Sequence, residues 1–549
     1  MSAPSVPLAG VAASPGVAYG PALRWDGHGG DTAEIEPAAT VPEASGRLVA
    51  DLDQRAAQCS TREGREVLQA LSMLAADPGL LTAADQLIGE GTAPPAAVRG
   101  AAETYAEQLR ALSGPLAERA VDVVDVGHRL AAHLEGRAVA SLPDPGHPYV
   151  LVAGDLAPAD TALLDPGLVV GIVTEQGGPT SHTTILARSL GIPAVVACAG
   201  ARDAASGRDV LVDGSAGLLH VDVSAELATQ LAEREAAAAE RRARISGPGA
   251  TADGTAVALL ANVGTLEEAV AAAAGDVEGI GLFRTEFLFL GRAAEPSLDE
   301  QTDVYADVLT AFEDRRVVFR TLDAGSDKPA PFLGLPEEEN PALGVRGLRT
   351  ATTRPDVLDR QLQALAAAAE RTGRQPDVMA PMVSTADEAD EFARLARAAG
   401  LGSVGIMIEV PAAALRSQTL LAAVDFASLG TNDLAQYALA ADRQEGRLAA
   451  LLDPWQPAVL DLVASACAGG EATRTPVGVC GEAAADPALA VVLVGLGARS
   501  LSMSPAALPR VRAALAEVTL EVCVRAAHSA RAARTAAAGR AAVAEVLTG

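Results

Sequence analysis

The chain of 549 residues carries 42 lysines and arginines against 70 aspartates and glutamates, a formal net charge of -28 at pH 7. Such an acidic surface repels nucleic acid and requires a local cationic pocket for any anionic substrate. The length exceeds one ordinary core, so we expect two or three domains, and no run approaches the roughly 18 apolar residues of a membrane span.

The cysteine pattern and the amino-terminal segment both favour a cytoplasmic location without membrane insertion. The segment MSAPSVPLAGVAASPG lacks the basic region and apolar stretch of a secretion signal. Five cysteines lie far apart and form no Cys-x-x-Cys pair, which argues against a zinc site or a disulfide framework. They are Cys59, Cys198, Cys467, Cys480 and Cys523.

The amino-terminal half predicts a small α/β domain with a helical insertion. Residues 1–26 alternate short apolar runs with turn residues, and residues 141–222 contain β-rich runs separated by proline and glycine. Residues 27–140 show the apolar spacings of three and four that are typical of helices. A charged, alanine-rich stretch at 223–252 then predicts a connector between domains.

Residues 253–530 predict a (β/α)8 barrel, followed by an alanine-rich tail at 531–549. Eight short β-like runs recur there with helical stretches between them, and eight strand-helix units are the signature of this barrel. The runs are 256–262, 280–284, 317–322, 378–382, 405–409, 427–431, 477–480 and 500–503. The fold class expected for the whole chain is therefore a multidomain α/β protein.

Polar residues follow these predicted strands, and the active site of such a barrel lies at the carboxyl ends of its strands. Seven ends carry Arg284-Thr285-Glu286, Arg320, Pro381-Met382, Glu409, Asn432-Asp433, Cys480-Gly481-Glu482 and Ser502. We therefore expect cations, carboxylates and a thiol to converge on one face of the barrel.

A glycine-rich segment presents a histidine at the predicted start of a helix. It reads Gly177-Gly178-Pro179-Thr180-Ser181-His182 and follows the β-rich run 169–174. Glycines allow close approach to a phosphate, hydroxyls donate to its oxygens, and a helix amino terminus favours negative charge. The segment fits a histidine that accepts a phosphoryl group. Taken alone, it fits a capped glycine turn with an incidental histidine equally well.

Together with the rest of the chain, this segment resembles the phosphohistidine signature of the phosphoenolpyruvate-utilising enzymes. Over nearly its whole length the chain is similar to enzyme I of the bacterial phosphotransferase system. The shared motifs include GGPTSHTTILARSLGIPAV, GIGLFRTEFLFL, FRTLDAGSDKP, ENPALGVRGLR, IMIEVPAAA, SLGTNDLAQYALAADR and GVCGEAAADP. The resemblance implies a phosphoenolpyruvate-protein phosphotransferase that moves the phosphoryl group to Nε2 of its own His182. A histidine of the carrier protein HPr then receives it, and pyruvate is released, as the first step of sugar uptake.

The resemblance also implies roles at the barrel. Arg284, Arg320 and Arg443 would bind the substrate phosphate and carboxylate with planar, charge-assisted forks, which a lysine does not reproduce. Asn432 and Asp433 would also bind substrate, and Asn432 would supply a neutral donor. Arg346 and Lys328 match family motifs as well, without an assigned role.

A metal ion and a proton donor complete the implied site. Glu409 and Asp433 follow neighbouring strands, and two carboxylates beside an anionic substrate suggest Mg2+ bridging to it. An isolated buried cysteine is usually a small apolar side chain. By resemblance, however, Cys480 protonates the enolate carbon to give pyruvate.

Two protein partners follow from the resemblance. HPr would dock on the helical insertion, where acids such as Glu63, Glu66 and Asp77 face its basic rim, although an exposed acidic helix is more often merely solvated. The barrel would form a homodimer. Because the histidine and the substrate pocket lie in different domains, the connector would let the histidine domain swing between barrel and carrier.

Three departures from the family pattern bear on rate and partner tuning. Pro179 stands where arginine is common, Ser326 where glycine is common, and Trp455 in a segment that usually contains tyrosine.

Pyruvate phosphate dikinase and phosphoenolpyruvate synthase are the rival enzymes, but both need a nucleotide-binding domain ahead of the histidine. A non-catalytic carrier-binding regulator is the rival from another class, and the retained site residues argue against it.

Overall fold

The computed structural model describes residues 7–25, 35–59, 62–111, 120–138, 142–161, 164–177, 182–290, 292, 294–325, 330–336, 338–443, 448 and 450–548. The chain forms two compact units, Met1–Ala239 and Glu240–Gly549. Their division falls inside the helix Ala225–Arg244, within the stretch that the sequence predicts as a connector.

A sheet of eight strands forms the centre of the first unit. The strands are Leu8–Ala9 (β1), Val11–Ser14 (β2), Val17–Trp25 (β3), Tyr149–Ala153 (β4), Val169–Thr174 (β5), Ala194–Val196 (β6), Asp209–Asp213 (β7) and Leu218–Val221 (β8). Their order is β1-β8-β7-β3-β4-β5-β6-β2. Strands β3 to β6 are parallel, and the other neighbours are antiparallel. The central strand β4 is wholly buried, because both of its faces are covered.

Helices of the described part of residues 27–140 follow β3 and build an apolar core of their own. They span Val41–Gln58, Arg62–Ala75, Pro78–Gly89, Pro94–Ala111 and Ala120–Leu134. Thr40 and Asp77 cap two of them by accepting hydrogen bonds from the backbone N–H groups of the first turn. This block therefore has an apolar core of its own.

The remaining described helices that begin in the first unit are shorter, apart from the last one, which extends into the second unit. They span Pro158–Thr161, His182–Leu190, Ala201–Ala205 and Ala225–Arg244.

Among the described residues, no single helix has both the length and the apolar character needed to cross a membrane. One strongly bent pair, Val67–Ala75 with Pro78–Gly89, meets those two criteria jointly.

The second unit contains a closed barrel of eight parallel strands, which confirms the predicted fold class. The strands are Ala258–Val263 (β9), Gly279–Arg284 (β10), Arg316–Arg320 (β11), Asp377–Ala380 (β12), Ser403–Ile408 (β13), Phe426–Leu429 (β14), Val477–Val479 (β15) and Ser500–Met503 (β16). Each of the eight predicted runs overlaps one strand. The runs are recognisable because strands buried on both faces are almost continuously apolar.

Helices surround the barrel and share one large apolar core with its strands. They span Leu266–Ala273, Glu286–Phe289, Leu298–Ala311, Pro355–Thr372, Ala386–Ala398, Pro411–Leu415, Ser417–Leu421, Thr431–Leu439, Pro457–Thr473, Pro487–Gly495, Leu508–Ala516, Leu520–Ala532 and Ala536–Thr548. Ser297 and Thr385 begin two of them with capping boxes, which fix where the helices start. In the helix Ala536–Thr548, Val543 is fully buried, so part of the alanine-rich stretch 531–549 belongs to the barrel core.

Candidate active site

The histidine singled out by the sequence lies at the start of a helix in the first unit. The helix His182–Leu190 follows strand β5, and Thr183 and Thr184 in its first turn are buried. Gly177 has a φ of 90°, a left-handed conformation that favours glycine. Residues 178–181, and with them Pro179, lie outside the described residues, as does the side chain of His182. The amino terminus of a helix favours negative charge nearby, and the role of His182 stays a prediction.

In the second unit, the predicted residues lie where the sequence expects them, at the carboxyl end of the barrel. Arg284 and Arg320 are the last residues of β10 and β11. Glu409 directly follows β13, and Cys480 directly follows β15. Asn432 and Asp433 lie in the first turn of the helix after β14. Lys328 and Ser326 lie outside the described residues.

Arg346, which the sequence left without a role, lies at the centre of a buried ion-pair cluster. Its guanidinium contacts both oxygens of Asp323 at 3.0 and 3.1 Å and both oxygens of Asp433 at 3.1 and 3.2 Å. Arg346 is 2% exposed, and Asp323 is fully buried. The hydroxyl of Tyr437 lies 3.3 Å from the Nη1 of Arg346. We name Arg346, Asp323 and Asp433 the Arg346 cluster.

Arg320 lies beside this cluster, and one of its N–H groups is available for a ligand. It forms ion pairs with Glu286 and, at 3.3 Å, with Asp323. Burial lowers the pKa of its guanidinium, but the surrounding carboxylates, Glu286 foremost, raise the pKa by more, so the net shift is upward. Its Nε has no hydrogen-bond partner among the described residues. A buried, permanently charged donor without a partner is suited to bind an anionic oxygen.

Glu409 is a buried carboxyl group that is hard to ionise. It is 1% exposed, and its Oε1 accepts a 2.6 Å hydrogen bond from the backbone N–H of Met382. Met382 has a φ of 61°, a costly conformation for a residue other than glycine. Burial, and then the charges of Asp433 and Asp323, raise the pKa of Glu409 well above its usual range. Burial and the neighbouring carboxylates therefore favour the protonated form of Glu409.

Asp433 has the opposite electrostatic balance. Burial raises its pKa, but Arg346 and then Arg443 lower the pKa by more, so Asp433 is held ionised. Arg443 lies 3.4 Å from both carboxylate oxygens and is 42% exposed, so it can also reach a ligand. Asn432 accepts a 3.3 Å hydrogen bond from the backbone of Glu482, which leaves its amide group free to donate. Asp433 thus links the buried Arg346 to the exposed Arg443 through ion pairs.

Cys480 presents a protonated thiol to the same region. It is 3% exposed, and its Sγ lies 3.5 Å from the carbonyl oxygen of Leu429. Burial raises the pKa of the thiol to about 11, although Ser428, Arg320 and Arg284 lower it in part. At neutral pH the group is a potential proton donor rather than a nucleophile.

The residues present fit a magnesium ion that is bound jointly with substrate. No set of three or more His, Cys, Asp or Glu among the described residues is arranged to hold a metal by protein ligands alone. Mg2+ usually takes only one or two carboxylates and completes its octahedron with water and substrate phosphate. Burial first, and then the charge of Asp433, raise the pKa of Glu409, so Glu409 and Asp433 are the two carboxylates that would face such an ion.

Two residues of this region were missed by sequence reasoning. Asp323 lies within the quoted motif FRTLDAGSDKP, three residues after the strand end at Arg320, and that spacing was the available signal. Asn262 lies in β9, the one strand whose end was passed over. An amide that interrupts the apolar run Leu259-Leu260-Ala261 could have identified it.

Comparisons with known proteins agree along the length of the chain. Models of the PEP-utilising enzymes match residues 9–119 (N-terminal), 145–217 (mobile domain) and 238–520 (PEP-binding domain). The chain is 50% identical to the phosphoenolpyruvate-protein phosphotransferase of Streptomyces coelicolor, over 97% of this chain and 98% of that protein. It is 42% identical to the protein of the same name from Haloferax volcanii, over 84% of each chain.

A third relative extends beyond this chain. The chain is 41% identical to the multiphosphoryl transfer protein of Xanthomonas campestris, over 92% of this chain and 63% of that protein. The match of the barrel residues to the PEP-binding domain and the near full-length match to the Streptomyces protein confirm the resemblance found in the sequence. The chain belongs to the PEP-utilising enzymes and, among them, to the phosphoenolpyruvate-protein phosphotransferases, the enzyme I family.

Proposed function

We propose that the chain transfers the phosphoryl group of phosphoenolpyruvate first to Nε2 of its own His182 and then to a histidine of HPr, with release of pyruvate. Its family supplies the reaction class. One observation supports the assignment of residues: four chemically distinct groups lie together at the barrel mouth. They are the buried guanidinium of Arg320 with its unpartnered Nε, the carboxyl groups of Glu409 and Asp433, whose pKa values are shifted in opposite directions, and the protonated thiol of Cys480.

Substrate binding falls to the cationic and amide side chains. Phosphoenolpyruvate carries a phosphate and a carboxylate, and charge-assisted hydrogen bonds to such groups are short and strong. The unpartnered Nε of Arg320 and the exposed side chain of Arg284 are available to bind them. Arg443 and the amide group of Asn432 supply further donors. Asp433 acts by holding Arg443 at the edge of the site.

Phosphoryl transfer then needs a neutral imidazole nitrogen. Its lone pair forms the N–P bond at His182 while the bond from phosphorus to the enol oxygen breaks and leaves its electron pair on that oxygen. The helix start at His182 favours the negative charge that arrives. The transition state is loose, so orientation and charge stabilisation dominate catalysis.

Formation of pyruvate requires a proton on the enolate carbon. We assign this proton to Cys480: its S–H bond breaks, a C–H bond forms, and water later restores the thiol. A pKa of about 11 keeps the thiol protonated at the pH of the cytoplasm. A bulk proton donor would not be held next to the carbon, so the position of the thiol matters as much as its acidity.

Glu409 and Asp433 would hold Mg2+. When bound, the ion supplies positive charge to the phosphate oxygens and the substrate carboxylate. The positive charge of Arg346 is paired with Asp433 and thereby limits the repulsion between Asp433 and Glu409. The protein therefore keeps Asp433 ionised and leaves Glu409 available as the second ligand for the ion.

Two partners complete the proposal. The helical block, with a core of its own, is the docking surface for HPr, and a second copy of the chain binds through the barrel. The helix Ala225–Arg244, which contains the division between the two units, is the segment about which the histidine-bearing unit would swing.

The direct test uses the full chain with Mg2+ and phosphorus-labelled phosphoenolpyruvate. We expect acid-labile, base-stable label on the chain, its complete removal by HPr, and one pyruvate for each label transferred. With ATP and pyruvate instead, we expect no AMP. Label that never reaches the chain, or AMP formation, would contradict the proposal.

A further inference from the structure

An amide at the end of the first barrel strand reaches the catalytic end of the seventh. Asn262, in β9, donates through its Nδ2 to the carbonyl oxygen of Cys480 at 2.8 Å and to that of Ser502 at 3.2 Å. Strand β16 lies between β9 and β15 in the barrel. The side chain of Asn262 therefore crosses one strand to reach Cys480.

These contacts match only one orientation of the amide. Its Nδ2 faces two carbonyl oxygens, which only accept, and its Oδ1 faces the hydroxyl of Ser502 at 2.5 Å, which can donate. In the reverse orientation, the amide oxygen of Asn262 would face the carbonyl oxygens of Cys480 and Ser502, and none of the three can donate. Ser502 is 3% exposed, and its hydroxyl lies nearer to Oδ1 of Asn262 than to its other acceptor, the carbonyl oxygen of Ala261 at 3.2 Å.

The main chain of Cys480 is consequently fixed from two sides. Its N–H donates to the carbonyl oxygen of Leu429 at 3.0 Å, towards β14, and its carbonyl accepts from Asn262, on the other side. The ladder between β15 and β16 ends at Val479, so the carbonyl of Cys480 has no ladder partner there. Asn262 supplies the donor that the sheet does not.

A glycine keeps room for this arrangement. A Cβ added to Gly281 in β10 would lie 2.4 Å from the Oγ of Ser502 and 2.6 Å from its Cβ. Any side chain at Gly281 would therefore displace the serine that orients Asn262. This close packing explains why Gly281, the second glycine of the motif GIGLFRTEF, cannot be replaced by a residue with a side chain without moving Ser502.

We propose that Asn262, oriented by Ser502, is a positioning residue that aims the thiol of Cys480 at the enolate carbon; the inference rests on the proposed function. It acts through the backbone of Cys480 and touches no substrate. Misplacement of a catalytic group by about 1 Å costs on the order of a hundredfold in rate.

The test compares Asn262→Asp with the unaltered full chain. The substitution keeps the size of the side chain but replaces the donor with an oxygen that faces two carbonyls. We expect kcat for phosphoenolpyruvate, measured with Mg2+ and HPr, to fall by about 10 to 100-fold. The KM should stay within about threefold, since Asn262 contacts no substrate.

The stereochemistry of the pyruvate methyl group distinguishes positioning from a general loss of structure. Phosphoenolpyruvate carrying deuterium at one C3 position, converted in tritiated water, gives a chiral methyl group if Cys480 delivers the proton to one face. We expect Asn262→Asp to lose this chirality, because solvent then protonates free enolpyruvate on both faces. An unchanged kcat with full chirality would overturn the inference, and so would a change in KM alone.

Two further variants complete the test. Gln375→Glu makes the same amide-to-acid change at an exposed position just before β12, at the opposite end of the barrel, and should leave kcat and chirality unchanged. Ser502→Ala removes only the orienting hydroxyl and should lower kcat by a smaller factor, so it decides the question if Asn262→Asp does not fold. Absence of label transfer in the unaltered chain would refute the proposed function instead.

Discussion

Each unit contains a buried arginine between two aspartates, and each contains a buried thiol with a raised pKa. In the first unit Arg129 contacts Asp125 and Asp160 at 2.9 Å, and in the second Arg346 contacts Asp323 and Asp433. Burial raises the pKa of Cys198 in the first unit and of Cys480 in the second to about 11. Similar local chemistry therefore occurs in two very different settings.

The difference lies in what surrounds these groups. Arg129 joins the helical block to the short helix Pro158–Thr161, so its ion pairs connect two packed layers. The Arg346 cluster instead adjoins Glu409, Arg320 and Arg443. The charges of Arg320 and Glu409 act on each other's pKa, and the charge of Arg443 acts on the pKa of Asp433. Burial of an ion pair is thus a structural device in one unit. In the other it supports the electrostatics of a binding site.

The largest effect should follow from removing the thiol at the barrel mouth. We expect Cys480→Ala to lower kcat by about 10² to 10⁴-fold, the usual contribution of a general acid. Cys198→Ala removes an equally buried thiol from the first unit and should leave kcat unchanged. Steady-state pyruvate formation measures both. Equal effects of the two substitutions would remove Cys480 from the mechanism.

The two arginine clusters should separate stability from turnover. Either Arg346→Met or Arg129→Met removes the buried cation between two buried aspartates, which costs about 3 to 5 kcal/mol of unfolding free energy. For the folded fraction, we expect Arg346→Met to lower kcat by about 10² to 10³-fold and Arg129→Met to leave it unchanged. Urea unfolding and steady-state kinetics provide the two measurements. Turnover lost equally in both variants would contradict this distinction.

The metal assignment predicts a change in affinity that needs no activity to detect. We expect Mg2+ to raise the melting temperature of the unaltered chain, since a ligand of the native state stabilises it. Glu409→Gln should raise the Mg2+ concentration needed for this effect by about 10 to 100-fold. Asp377→Asn, at the amino-terminal end of β12, is the matched carboxyl-to-amide control. An unchanged Mg2+ requirement in Glu409→Gln would exclude this residue as a ligand.

The smallest effect concerns the pH dependence of thiol reactivity. A thiol with its pKa raised to about 11 stays protonated below that pH, so its thiolate fraction rises about tenfold for each pH unit between 7 and 10. Alkylation of Cys480 and Cys198, followed by peptide mass mapping, should show this slope for both. Phosphoenolpyruvate with Mg2+ should protect Cys480 alone. Protection of both thiols would indicate a general stiffening of the chain.

The sequence predicts the barrel well because each strand is buried on both faces and therefore appears as an apolar run. The run 500–503, for example, coincides with β16, and 477–480 differs from β15 by one residue. The strand ends then identify Arg320, Glu409 and Cys480 as candidates. The apolar runs and the residues that follow them were sufficient for this level of the prediction.

Side-chain pairing at the site could not be predicted in the same way. Arg346 lies outside the strands, and its two aspartates are 23 and 87 positions away along the chain. The direction of its side chain depends on the path of the loop before Gly347, where φ is 60°. The interruption of an apolar run could have drawn attention to Asn262, but not to its partner, because the contact with Cys480 spans 218 positions.

In the proposed reaction His182 holds the phosphoryl group between phosphoenolpyruvate and HPr. The decisive measurement compares the unaltered chain with His182→Ala, using labelled phosphoenolpyruvate, Mg2+ and HPr. We expect label on the peptide that contains His182 in the unaltered chain, and no label on either the chain or HPr in the variant. Transfer to HPr at the normal rate by the variant would contradict the account.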